Sequence, residues 1–171
     1  MNASRLWTIT VLELTQRVRS VAWYVLLGVF AVILLGVTVL SFLAFGMWSG
    51  SDGPGGAIYS VIVYMVLLLV LLVAPTVAGN AVNGDRESAT LAAVQVTRAT
   101  TGEIVFGKLL AAWITGLAFL AVAVPFLIAA TVAGGVAPVS LVVSLLVLIL
   151  EIGIFAAIGV GLSALLARPL F

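Results

Sequence analysis

Neither cysteine nor histidine occurs in this chain of 171 residues. Their absence excludes disulfides, thiolate chemistry, most zinc sites and any Ser/His/Asp triad. Charge is nearly as scarce. Asp, Glu, Lys and Arg make up 8% of the residues, against about 25% in soluble domains. The formal net charge of +1 is far from the dense basic footprint that nucleic acid requires, so no nucleic acid partner is expected. A G-x-x-x-x-G-K-[ST] phosphate loop is missing too, because Gly102 and Gly107-Lys108 do not complete it and no strand precedes them. No catalytic residue and no metal site is therefore assigned, and the chain is not expected to be an enzyme. A cleavable signal is not expected either, since Glu13, Gln16, Arg17 and Arg19 precede the first apolar run.

What remains is hydrocarbon. Hydrophobic residues account for 64% of the chain, too much apolar surface for a soluble fold to hide, so the lipid bilayer is its natural solvent. Four apolar runs reach the roughly 20 residues that a helical crossing needs: about 21–45, 58–82, 109–133 and 139–167. No alternating barrel pattern is present, and backbone polar groups in lipid must pair internally, so each run is expected to be helical. The fold class is an all-α membrane protein of about four transmembrane helices, with residues 1–20 ahead of a transmembrane domain over 21–171.

The connections set the orientation. Residues 47–56 form a turn-rich loop with one acid and no base, Gly134-Gly135-Val136-Ala137-Pro138 a tight hairpin, and 83–108 a longer charged connection. Arg5, Arg17, Arg19, Arg86, Arg98, Lys108 and Arg168 all fall on one side of this layout and none on the other. By the positive-inside rule that side, with both termini, is cytoplasmic. Trp23 and Tyr24 suit an aromatic belt at the inner boundary, Trp48 and Tyr59 one at the outer.

Three segments carry candidate function. Residues Arg5 to Arg19 read as an amphipathic helix in the membrane plane, with Trp7, Val11, Leu14 and Val18 on one apolar stripe and Glu13 spaced to meet Arg17; a plain start to a long first helix is the alternative. The stretch 83–108 reads as two helices meeting at an elbow. Asp85 caps a short helix over about 86–96, Arg98-Ala99-Thr100 breaks it, and Thr100 with Glu103 forms a capping box ahead of the third span. Such an elbow suits a docking surface for a cytoplasmic partner, or a solvated connector that sets topology. The third segment centres on Glu151 in the fourth span, where a bare carboxylate costs about 2.5–3.5 kcal/mol or more. It must carry a proton, turn into the bundle or line water. Ser140 and Ser144 share its approximate face as further candidates for a translocation path. Gly153, Ala157 and Gly161 form a small-residue stripe that permits close packing, and Pro75 and Pro125 can each kink a span without breaking it.

The stretch from Pro75 to Trp113, PTVAGNAVNGDRESATLAAVQVTRATTGEIVFGKLLAAW, resembles the permease subunits of type-2 ABC exporters. Gly84, Asp85, Arg86, Glu87, Thr90, Leu91, Thr97, Glu103, Ile104, Gly107 and Lys108 carry the likeness. Leu6-Trp7-Thr8, Glu13-Leu14 and Arg17-Val18-Arg19-Ser20 look like that family's membrane-surface helix. The resemblance implies a transport subunit of the plasma or inner membrane, whose 83–108 loop is a coupling element seated on a separate ABC ATPase. That ATPase would bind ATP and Mg²⁺, this chain holding no cofactor, and a second permease subunit, identical or different, would complete the path. Asp85, Arg86, Glu87 and Thr90 become the coupling candidates, with Glu103 and Lys108 supporting the elbow. Family members usually have six spans, so the ending at Ala167-Arg168-Pro169-Leu170-Phe171 reads as a truncation after four. Two other functions stay open: a small proton-coupled secondary transporter that uses Glu151, and a membrane scaffold that docks a partner without transporting.

Overall fold

The computed structural model describes residues 3–46, 55–87 and 101–166. They form five helices: α1 (Ala3–Arg19), α2 (Val21–Gly46), α3 (Gly55–Glu87), α4 (Thr101–Ala133) and α5 (Pro138–Leu166). Among the described residues there is no strand. Helices α2 to α5 are each long and apolar enough to cross a bilayer, which makes the chain a multi-pass membrane protein. Trp48 lies outside the described residues.

Two short breaks shape the path. Ser20 separates α1 from α2: its N–H donates to the Arg17 carbonyl at 3.0 Å, and its own Oγ accepts the Trp23 N–H at 3.3 Å. That is an N-cap, which satisfies a donor at the start of α2 and lets the chain change direction there. The first helix is therefore separate from the first span rather than its beginning. Between α4 and α5 the chain reverses at Gly135, which takes φ +60°, a conformation that costs a side chain about 1–2 kcal/mol. The Val136 N–H then donates to the Thr131 carbonyl at 3.1 Å, closing a Schellman motif, and Pro138 opens α5 where its missing N–H is no loss.

Helices α3 and α4 overrun the expected spans, and this corrects the expectation for Asp85. The short helix was to begin there, but α3 continues unbroken to Glu87, so Asp85, Arg86 and Glu87 lie within a long helix. Extending an existing helix avoids the cost of nucleating a new one, and the lone Gly84 costs only about 1 kcal/mol. The backbone also passes position 75 without a break. At the other end, residues 101–108 are the first two turns of α4 rather than part of a loop. The remainder of the expected elbow, Thr90 and the Thr100 cap included, lies outside the described residues. Pro125 sits inside α4, which continues through it.

Packing follows a four-residue rhythm. Ile62, Val66 and Val70 of α3 meet Phe119, Ala123 and Leu127 of α4, and Leu148 and Ile152 of α5, all buried. Phe119 receives Trp23 and Phe30 edge-on, at centroid distances of 5.1 and 5.2 Å, which seats α2 on α4. Gly116 lets α5 come close, since a Cβ there would run into the Ile152 side chain. Outside this core the helices expose valine, leucine and isoleucine along their lengths, as at Val32, Leu40, Leu72, Val139 and Leu150. Only 17–39% of the positions in the four spans are buried, so most of their apolar surface faces away from this core.

Candidate functional site

Helix α1 turns its polar stripe inward. Thr10 and Glu13 are buried and Arg17 is half-buried, whereas Trp7, Val11 and Val18 of the apolar stripe stand exposed. Glu13 and Arg17 do form the expected pair, at 3.2 Å. They form it against α4 instead of on an open face, because lipid reverses the soluble rule: outside is apolar and polar groups seek one another inside.

The seam with α4 is built from residues at helical spacing on both sides. Gly107, Lys108, Ala111 and Thr115 line the α4 face. The Glu13 carboxylate accepts from Lys108 Nζ at 3.1 Å as well as from Arg17. Arg17 also reaches Thr115 Oγ1 at 3.4 Å. The Thr10 hydroxyl is shared between the Leu6 carbonyl at 2.9 Å and the Gly107 carbonyl at 3.2 Å. Gly107 makes this approach possible. A Cβ there would stand 2.8 Å from Ile9 Cγ2 and 3.1 Å from Ile9 Cβ, too close for packed atoms.

One carboxylate thus bridges two cations in a water-poor seam. Such a pair returns little net stability, because desolvation offsets most of the attraction, but breaking it is expensive. Its consequence is a fixed register: α1 is tied to α4 by side-chain bonds while it joins α2 only through the bend at Ser20. Glu103 is buried in the first turn of α4, where a carboxylate also meets the positive end of the helix dipole. The structure therefore brings Lys108 to Glu13, and it places Glu103 on the same end of α4. It does not describe the side chains of Asp85, Arg86 and Glu87.

The polar groups of α3 and α5 divide in two. Tyr59 of α3 donates to the Ser140 carbonyl at 3.1 Å and lies 2.9 Å from Ser144 Oγ, a polar clasp between α3 and α5. Glu151 stands two turns further along and does not join it. Its Oε2 is buried with no hydrogen-bond partner among the described residues. A buried acceptor left that way costs about 1–3 kcal/mol. Trp113 supplies no donor, because its indole N–H is given to the Ile149 carbonyl at 3.1 Å. Among the described residues, no three acidic side chains gather as a metal-binding cluster.

Sequence reasoning missed Thr10, Gly107 and Thr115 as parts of a site. The signal was present: Thr10, Glu13 and Arg17 fall at i, i+3 and i+7, a polar stripe on a helix adjoining spans that are nearly free of charge. Compared with protein-family models and with curated proteins, the chain matches none.

Proposed function

We propose that this chain is the membrane-spanning permease subunit of an ATP-driven exporter of the type-2 ABC kind, served by a separate ATPase chain. The observation that carries the proposal is the Glu13–Lys108 ion pair. Lys108 belongs to the opening turns of α4, the helix that follows the charged segment resembling the family's coupling element. A push on that segment passes into α4 through its backbone, and into α1 through the pair. Four crossing helices and a docked helix ahead of the first support the same assignment.

In this arrangement the basic residues mark the cytoplasmic side of a plasma or inner membrane, and both termini lie there. Asp85, Arg86, Glu87 and Thr90 contact the ATPase, and Glu103 and Lys108 hold the segment to the bundle. ATP and Mg²⁺ belong to the partner, and a second permease subunit closes the path. The test is co-purification with an ATPase encoded beside this chain. The complex is expected in the unaltered protein and is expected to be lost in Arg86→Ala/Glu87→Ala. No ATPase in native or cross-linked samples would sink the assignment.

The orphaned Glu151 oxygen favours a second reading, a proton-coupled transporter acting without an ATPase. Transport driven by a proton gradient in vesicles holding this chain alone, and abolished by Glu151→Gln, would establish it in place of the first.

A further inference from the structure

Glu151 is the one charged residue of α5, and α5 packs against α3 and α4, whose stretches 55–84 and 109–133 carry none. It stands about 20 Å from Pro138 and about 22 Å from Leu166 at 1.5 Å per residue, deep in a span. Its Oε2 is sealed and unpartnered among the described residues, while the side chain as a whole is half-buried, so an approaching group meets the carboxyl from one side. None of the seven basic residues is available to it. Lys108 and Arg17 share Glu13. Arg5 and Arg19 belong to α1, which does not pack on α5. Arg86 lies about 40 Å further along α3 than Tyr59, whereas Glu151 lies about 10 Å beyond Ser144, the partner of Tyr59. Arg168 follows Leu166 by two residues, and Arg98 precedes Thr101 by three. Leu166 is about 22 Å from Glu151, and Thr101 is as far from Gly116, which abuts Ile152. A few extended residues at about 3.5 Å each, with one side chain, do not bridge that distance.

We propose that Glu151 binds the charged centre of a hydrophobic organic cation. A bare carboxylate is costly at this depth, and a counter-charge from outside the chain relieves it. An anion is repelled, and a neutral ligand leaves the charge uncompensated. A small inorganic cation does not fit, because it takes about six oxygens in place of its water. The described residues gather no three acidic side chains, and the hydroxyl on the same approximate face, Ser144, is held by Tyr59. A cation whose charge is spread over an apolar body needs one counter-charge with hydrocarbon around it. At three- and four-residue spacing from Glu151 the helix supplies Val147, Leu148, Ile154 and Phe155, and an aromatic ring suits a cation as well. Val147 and Ile154 are exposed and Phe155 is half-buried, so this hydrocarbon is open to a ligand. Binding sites commonly hold such unpartnered groups at a cost in stability. Calling the cation cargo rests on the transport assignment; its binding requires neither an ATPase nor a proton gradient.

Equilibrium dialysis of the purified chain against radiolabelled tetraphenylphosphonium, with empty micelles as the blank, tests it. One saturable site per chain is expected. Glu151→Gln keeps the shape and removes the charge. It is expected to weaken binding about tenfold to a hundredfold, the effect of one charge pair about 6 Å apart in a partly buried site. Glu151→Asp retains the charge and is expected to lose less than Glu151→Gln. Tetraphenylborate, of the same shape and opposite charge, is expected not to bind saturably. That comparison uses the unaltered chain, so it decides the matter whether or not the variants fold. Equal affinity in Glu151→Gln, equal binding of tetraphenylborate, or no saturable site in the unaltered chain would each overturn the proposal. Co-purification with an ATPase and proton-driven transport are separate measurements, so the cation site and the energy source stand or fall independently.

Discussion

Replacing Glu13 by leucine removes the one acceptor that Arg17 and Lys108 share. In the folded chain its carboxylate lies 3.2 Å from the first and 3.1 Å from the second, and the Lys108 side chain is only 5% exposed. On a protein surface such contacts are worth about 0–1 kcal/mol. In this seam the cations cannot recover water, and removing the carboxylate that two buried charges share costs up to about 3–5 kcal/mol. Arg17 is the more open of the two at 14% and keeps Thr115 within 3.4 Å, so the lower figure applies. For a chain of this size, about 3 kcal/mol corresponds to a fall in Tm of about 6–12 °C, read by tryptophan fluorescence in detergent. Lys108→Met is expected to cost less, about 1.5–3 kcal/mol, because Glu13 retains Arg17. The decisive comparison is the double variant. Glu13→Leu/Lys108→Met no longer buries the ammonium without the Glu13 carboxylate, so it is expected to be more stable than Glu13→Leu alone. If the two losses simply add, the seam is not an energetically coupled ion pair and the register argument built on it fails.

Gly107→Ala is expected to destabilise by about 1–3 kcal/mol, since its Cβ meets Ile9 Cγ2 at 2.8 Å; adding Ile9→Ala should restore part of the loss in the same melting assay. Tyr59→Phe removes the clasp to Ser144 and Ser140 and should cost about 0.6 kcal/mol and no more than about 1.7, the range for hydrogen bonds between membrane helices. Glu151→Leu is expected to raise stability by about 1–3 kcal/mol by removing an unsatisfied buried oxygen. A drop in Tm would instead reveal a partner that the carboxyl holds in the folded protein.

Much of the architecture could be read from composition because lipid imposes it. A run such as Val21–Gly46, without a charge, has no choice but to pair its own backbone. Gly135 and Pro138 announced the hairpin between α4 and α5, since each suits one helix end and resists the other. The Glu13–Arg17 contact followed from spacing alone. Helix ends facing water were harder to place. Nothing in Asn83-Gly84-Asp85 reveals whether a span stops there or continues, because a polar residue can cap a new helix or ride on an old one. For that reason the expected cap at Asp85 became the interior of α3.

What the sequence determined by itself is the number of apolar helices and the hairpin at residues 134–138, because those depend on local hydrophobicity and on backbone limits at glycine and proline. What only the tertiary structure decided is which polar groups meet. Glu13 lies 95 residues from Lys108 and pairs with it at 3.1 Å, Ser144 pairs with Tyr59 while Glu151 on its approximate face does not, and Gly107 proves to be a contact surface. In lipid, the hydrophobic effect cannot choose the mate of a helix face. Close packing and side-chain hydrogen bonds choose it, and they exist only once distant segments lie side by side.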